Sequence, residues 1–265
     1  MRKIVKLLLF IICVVAVALW GLSVVPAKKY ILIYSGRGAD IDCVKSTCDF
    51  LKHLATKRKY NIRCIDCQDI LDKNWENKTT MIVFPGGADL PYDQDLGEFG
   101  CDKIRNFVKT GGVYLGICAG AYFAGNFLDF ARGTNLEISG VRKLALFQGT
   151  TLGPVLKPYS YDDDSGACAA KLNCKNGEIY AYYNGGCTFI PDTENSMSNV
   201  DVVATYADKE HLPAIITCRV GDGLAILSGV HFEMKENISQ KEIAEKIFST
   251  EQQLDDLLKC LFNFL

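Results

Sequence analysis

Hydrophobic and polar positions divide the chain into three textures. Residues 7–27 form an uncharged, almost wholly apolar run. Past Lys28 the pattern breaks into short units. Lys29–Tyr34 (KYILIY) is a β-rich apolar run closed by Ser35-Gly36-Arg37-Gly38, and Ile41–Ala55 then places apolar residues at helical spacing. Tyr60–Ile65 and Thr80–Phe84 read as further strands, the latter ending at Pro85-Gly86-Gly87. A helix is predicted over Cys101–Lys109, stopped by Gly111-Gly112, and a fourth strand, Val113–Leu115, runs straight into Gly116-Ile117-Cys118. Strands alternating with helices imply a parallel sheet covered on both faces.

The second half is β-rich, with strand-like runs at Leu144–Phe147, Ile179–Tyr183, Asp201–Tyr206, Ala214–Val220 and Leu224–Leu227 between Gly, Asn, Asp and Pro. Hairpins and returning strands are expected there. Ser239 followed by Glu242 spells a capping box, and Ile243, Ile247, Leu254, Leu257, Leu258 and Leu261 continue at helical spacing, which predicts one closing helix.

The apolar amino-terminal run changes the domain division. Arg2, Lys3 and Lys6 precede it, and its length is that of a membrane-crossing helix or a long export signal. Residues 1–27 are therefore assigned to a signal peptide or membrane anchor, and residues 28–265 to the folded domain. Val25 and Ala27 have the small-residue spacing that permits cleavage before Lys28. The preceding basic residues favour a retained amino terminus and an exported domain, either membrane-anchored or secreted.

Composition narrows the function classes. A net charge of −2 over 265 residues, with no Lys/Arg cluster, argues against nucleic acid as a partner. Twelve cysteines in an exported chain admit disulfides, although sequence leaves their connectivity open, and buried free thiols are the competing reading. Cys64-Ile65-Asp66-Cys67 has metal or redox spacing but no second pair with a nearby His, and Asp162-Asp163-Asp164 lacks the alternating oxygen pattern of a cation loop. No metal and no cofactor are expected.

Gly116-Ile117-Cys118-Ala119-Gly120 is the chemically informative stretch. Small residues two before and two after a nucleophile suit a sharp strand-to-helix turn that holds the thiol at the strand's carboxyl end. The helix beginning beyond it favours thiolate and offers backbone N–H groups to an oxyanion. Of the three histidines, His53 falls in the first helix and His211 in a polar loop. His231 follows the strand Leu224–Leu227, where parallel sheets present their sites, and Glu233 is positioned to orient its ring. Pro85-Gly86-Gly87 forms the expected second wall, with Asp89 and Tyr92 shaping the pocket and N–H groups near Gly87 and Ala119 facing the substrate carbonyl. Tyr122, Tyr182 and Tyr183 are further candidates to line it.

The segments TMIVFPGGADLPY, GGVYLGICAGAYFA, YYNGGCTF and AILSGVHFEM resemble, in order and spacing, the amidotransferase-like amino-terminal domain of eukaryotic-type biotin-protein ligases, within the class I glutamine amidotransferase superfamily. The likeness runs from about Tyr30 to Met234. It implies a flavodoxin-like three-layer α/β sandwich, with a mainly parallel central sheet plus β-hairpin additions. It also implies Cys118, His231 and Glu233 at the triad positions. The domain is expected to stand alone, without the ligase half, and biotin ligation is not implied. Glutamine-hydrolysing relatives usually carry Gln where Tyr122 stands, so glutamine is not the expected substrate. Two functions follow: a Cys-His-Glu hydrolase or amidotransferase-like domain acting on a small amide or an ester, or a non-catalytic module that uses the same pocket to bind a ligand or protein partner.

Overall fold

A computed structural model describes residues 30–54, 60–156, 159–160, 163–209, 212–235 and 238–265. The apolar amino-terminal run assigned above to a signal peptide or anchor, His211 and the first residue of the triple-Asp stretch lie outside the described residues, and no described helix is long and apolar enough to cross a membrane.

The central sheet has nine strands. Its first part is built from β1 (Tyr30–Tyr34), β2 (Asn61–Ile65), β3 (Thr79–Phe84) and β4 (Val113–Ile117), joined from far along the chain by β13 (Gly223–Ser228). These five lie parallel in the order β2-β1-β3-β4-β13. The sheet continues antiparallel through β12 (Pro213–Val220), β11 (Val200–Tyr206), β8 (Cys168–Cys174) and β9 (Gly177–Tyr183). The sheet is therefore mixed, a parallel core with antiparallel extensions. A second, four-stranded sheet, ordered β10-β7-β5-β6, comprises β5 (Gly125–Phe130), β6 (Ile138–Val141), β7 (Phe147–Gly153) and β10 (Thr188–Pro191).

Alternation along the parallel strands sends side chains to two separate cores. Ile31, Ile33, Met81, Val83, Leu115 and Ile226 join one apolar cluster, which includes Val44 and Leu51 of α1 (Ile41–Leu54) and Leu254 and Leu258 near the carboxyl terminus. Leu32, Tyr34, Ile82, Phe84 and Tyr114 face the other. There they meet α2 (Cys67–Asp72), α3 (Asp89–Lys109), α4 (Ala119–Phe123) and the second sheet through Leu128, Phe147 and Phe189. Helices thus cover both faces, as the alternating pattern predicts.

Several boundaries depart from the sequence reading. The helix expected over Cys101–Lys109 begins at Asp89. Gly97, at φ 57°, kinks it, and a positive φ of this kind interrupts helical periodicity. The run Leu144–Phe147 is not a strand: Ala145 has φ 41°, the Leu146 and Phe147 N–H groups both donate to the Ala124 carbonyl, and β7 starts at Phe147. At the carboxyl end one predicted helix is two, α5 (Lys241–Ser249) and α6 (Glu251–Leu261). The break at Thr250 lets its hydroxyl accept the Tyr180 N–H of β9 at 2.8 Å. The predicted capping box does not form. Gln240 is the N-cap residue, and Ser239 Oγ donates to the Gln240 side chain instead.

Candidate active site

Three neighbouring strands deliver the site. β3, β4 and β13 are adjacent and parallel, with Phe84 opposite Gly116 and Ile117 opposite Ser228, so the loops leaving their carboxyl ends converge. The first carries Pro85-Gly86-Gly87, the second Cys118, and the third His231 and Glu233. Ligand sites of open α/β sheets form at this edge because several loops open there together.

Cys118 sits on a strained turn, at φ 50° and ψ −104°, between β4 and α4. The flanking glycines are required by close approach. A Cβ on Gly120 would lie 2.0 Å from the Phe84 carbonyl oxygen, and one on Gly116 would lie 2.5 Å from the Gly120 oxygen. The Cys118 N–H donates to Ser228 at 2.8 Å, which pins the elbow to β13. Cys118 is 8% exposed, and its thiol points toward the Asn184 carbonyl, 3.9 Å away. α4 is only five residues long, so its dipole is a weaker aid to the thiol than the sequence pattern suggests.

His231 and Glu233 are brought together with Cys118. The His231 Nδ1 is 2.8 Å from Glu233 Oε1, both side chains being almost wholly buried. That bond leaves Nε2 as the nitrogen available to the thiol. Burial works against a charged ring here, yet Glu233 and then Cys118 outweigh it and hold the imidazole well above its ordinary pKa. The His231 N–H donates to the Tyr182 carbonyl at 2.8 Å, and the Tyr182 ring packs edge-on against the imidazole. Glu233 Oε2 is buried without a hydrogen-bond partner.

The Pro-Gly-Gly wall has two distinct jobs. A Cβ on Gly86 would come within 2.7 Å of both His231 Cε1 and Cys43 Sγ, so the absent side chain is what lets the ring seat. Gly87, at φ +136°, faces the Gly38 carbonyl, 2.0 Å from where its Cβ would be. Larger residues at Gly87 would therefore break the loop rather than fill the pocket. The Gly86 and Gly38 carbonyls accept the Asp40 and Ala88 N–H groups, which leaves the Gly87 N–H outside that pairing. The Ala119 N–H, at the first turn of α4, has no preceding helical carbonyl to bond. Gly87 and Ala119 line the same cavity as Cys118, of about 1120 Å³.

Asp89 and Tyr122 also line this cavity, but their polar atoms are engaged elsewhere. Asp89 forms a buried ion pair with Arg142, and burial, partly opposed by that arginine, pushes its carboxyl up. Tyr122 Oη donates to the Gly185 carbonyl at 3.0 Å, tying the elbow helix to the loop after β9. Tyr92 Oη donates to the Pro85 carbonyl at 3.2 Å and so braces the wall from behind. Tyr183 is fully buried, and its hydroxyl donates to the Gly186 carbonyl at 2.9 Å. His53 is exposed and stands among the residues that line the cavity.

Two neighbours of the site were not singled out by sequence. Cys43 of α1 is buried against the Gly86 side of His231, and burial, followed by the charge of Glu233, pushes its thiol far up, which makes it an unreactive companion to Cys118. Asn184 supplies the carbonyl facing the Cys118 thiol. Asn184 lies in the YYNGGCTF motif, whereas Cys43 carries no local signal. Among the described residues no group of three His, Cys, Asp or Glu side chains stands close enough to hold a metal ion. The Cys64/Cys67 pair diverges, with Cys67 Sγ donating to the Asp95 carbonyl at 3.0 Å and Cys64 facing Cys48.

Residues 29–264 match the family described as the biotin-protein ligase amino-terminal region. A biotin–protein ligase of Schizosaccharomyces pombe is 38% identical over 211 residues, covering 77% of this chain but 33% of its own length. The chain thus spans about a third of that relative. An uncharacterized protein of Chlamydia muridarum is 34% identical over 248 residues, covering 88% of this chain and 95% of its own. Among solved structures, a ThuA-like protein of Bacteroides uniformis superposes with a TM-score of 0.53 at 13% identity, over 88% of this chain and 89% of its own, a likeness of fold.

Proposed function

The chain belongs to the biotin-protein ligase amino-terminal family, and within that frame we propose that it is a cysteine-dependent acyl-transfer domain that hydrolyses a small amide or an ester. The observation that carries this reading is the meeting, at one sheet edge, of a strained elbow cysteine with a buried histidine whose far nitrogen is fixed on a buried carboxylate. A purely structural His–Glu pair does not require a neighbouring nucleophile on a turn of unfavourable φ.

The steps follow from the atoms present. Cys118 Sγ attacks the substrate carbonyl carbon while its proton resides on His231 Nε2. The oxyanion is met by the Ala119 and Gly87 N–H groups. Collapse of the tetrahedral species expels the amine or alcohol, which takes the proton from His231 and leaves a thioester on Cys118. Water, deprotonated by His231, then attacks that thioester and releases the acid and the free thiol. Glu233 holds the ring tautomer and stabilises the imidazolium throughout.

The test is acylation of the full chain by small activated esters, followed by intact mass and peptide mapping. The expected result is one acyl group per chain, on Cys118, formed as a burst before turnover. Ligand-induced stabilisation with no adduct on Cys118 would instead support the binding module. That second reading draws on Tyr122, whose ring occupies the position where glutamine-hydrolysing relatives usually carry Gln and whose hydroxyl is already spent on Gly185.

A further inference from the structure

Cys48 and Cys64 approach each other outside the cavity. Cys48 lies on the half-buried face of α1, Cys64 is exposed on β2, the edge strand of the central sheet, and their sulfurs are 3.9 Å apart. Both are free thiols separated by sixteen positions in sequence. A disulfide needs its sulfurs at about 2.05 Å, so the gap to be closed is less than about 2 Å. Of the other described thiols, Cys43, Cys101, Cys118, Cys187 and Cys218 are buried, and Cys67 is bonded to the Asp95 carbonyl.

We propose that Cys48 and Cys64 form a structural disulfide that staples α1 to the edge of the sheet. α1 is worth fixing, since its first residues pack on the site: Asp40 caps its amino end through the Cys43 N–H at 2.9 Å and donates its own N–H to the Gly86 carbonyl at 3.0 Å. Burial, and next the neighbouring Cys64, raise the Cys48 thiol to about 11, while Lys52 one turn on favours its thiolate. Exposed Cys64 is therefore the entry point and Cys48 the resolving thiol. The oxidant is a small-molecule disulfide. The Cys64 thiolate attacks one sulfur of glutathione disulfide and expels one glutathione thiolate. The Cys48 thiolate then attacks Cys64 Sγ in the mixed disulfide and expels the second, so two thiols lose two protons and two electrons and one glutathione disulfide becomes two glutathiones. Such a bond persists in oxidising compartments, the setting expected from the apolar run after Lys6.

The test equilibrates the full chain in excess glutathione disulfide, traps remaining thiols by alkylation, and maps the peptides. The expected result is a cross-linked peptide pair bearing Cys48 and Cys64 in most molecules, with neither of the two alkylated. In Cys48→Ser the same treatment leaves Cys64 carrying one glutathione. Recovery of Cys48 and Cys64 as separately alkylated or separately glutathionylated residues in the native chain, or of Cys48 linked to a different cysteine, would overturn the proposal.

Discussion

Changing His231 to Ala lowers ester hydrolysis and Cys118 acylation by about a thousandfold, and Cys118→Ser lowers ester hydrolysis at least as far, because the two groups act as one unit. The loss is not additive: the double variant retains about the same residual rate as either single one. His231 is 4% exposed and makes its ring contacts with Glu233, Tyr182 and Cys118, so its removal also opens a small void. The structural part is separated by Glu233→Gln, which keeps the volume and a hydrogen-bond acceptor while removing the charge. Because Glu233 acts only through the ring, its expected cost is at most that of His231→Ala, with little change in melting temperature. Equal activity in native chain and His231→Ala would remove the histidine from the chemistry.

Replacing Asp89 with Ala destabilises the fold by about 3–5 kcal/mol, because it strands the Arg142 guanidinium, 3% exposed, without its carboxylate. Arg142 already has one buried nitrogen, Nη2, without a hydrogen-bond partner, so the site has little spare capacity to absorb the loss. The pair joins the start of α3 to the residue after β6 and thereby locks the second sheet against the loop that walls the cavity. Urea unfolding measures it. A double variant, Asp89→Leu with Arg142→Met, recovers most of the loss if the pair is a fastener between elements. If Asp89→Ala is as stable as the native chain but loses substrate binding, Asp89 acts on substrate rather than on Arg142.

The elements that carry the site were legible because their signals are local. Gly116 and Gly120 flank Cys118 for reasons of close approach that any strand-to-helix elbow shares, and the apolar runs of β1, β3 and β4 are those of strands buried on both faces. His231 and Glu233 lie two residues apart, so their pairing could be read directly. What the sequence concealed depends on distant partners or on broken periodicity. The first half of α3 is hidden by Pro91, Gly97 and Gly100, and its place is set by packing of Tyr92 and Leu96 into the core. The second sheet pairs β5 with β7, and β7 with β10, across long connections that no window of residues reveals. The β8–β9 hairpin was half seen: Asn176-Gly177 marks its turn, but the strand Cys168–Cys174 is too poor in large apolar residues to stand out. Cys43 at the site and the Asp89–Arg142 pair belong to the same class, for each is defined by a neighbour at least forty residues away.

The central claim, that His231 and Glu233 activate Cys118, is tested most directly by labelling the full chain with a limiting thiol-reactive probe from pH 5 to 9, mapped by mass spectrometry beside His231→Ala. His231 is held in its charged form well above the ordinary histidine value by Glu233 and Cys118. The contribution of that charge is therefore complete below about pH 6.5 and declines only as the pH climbs through the raised value. Cys118 is expected to label ahead of the other cysteines, at a rate that falls less than tenfold from pH 8 to pH 5, and this persistence is expected to disappear in His231→Ala. A rate that drops about tenfold per pH unit below about 8.5, as for an unassisted thiol, and that is the same with and without His231, would contradict it.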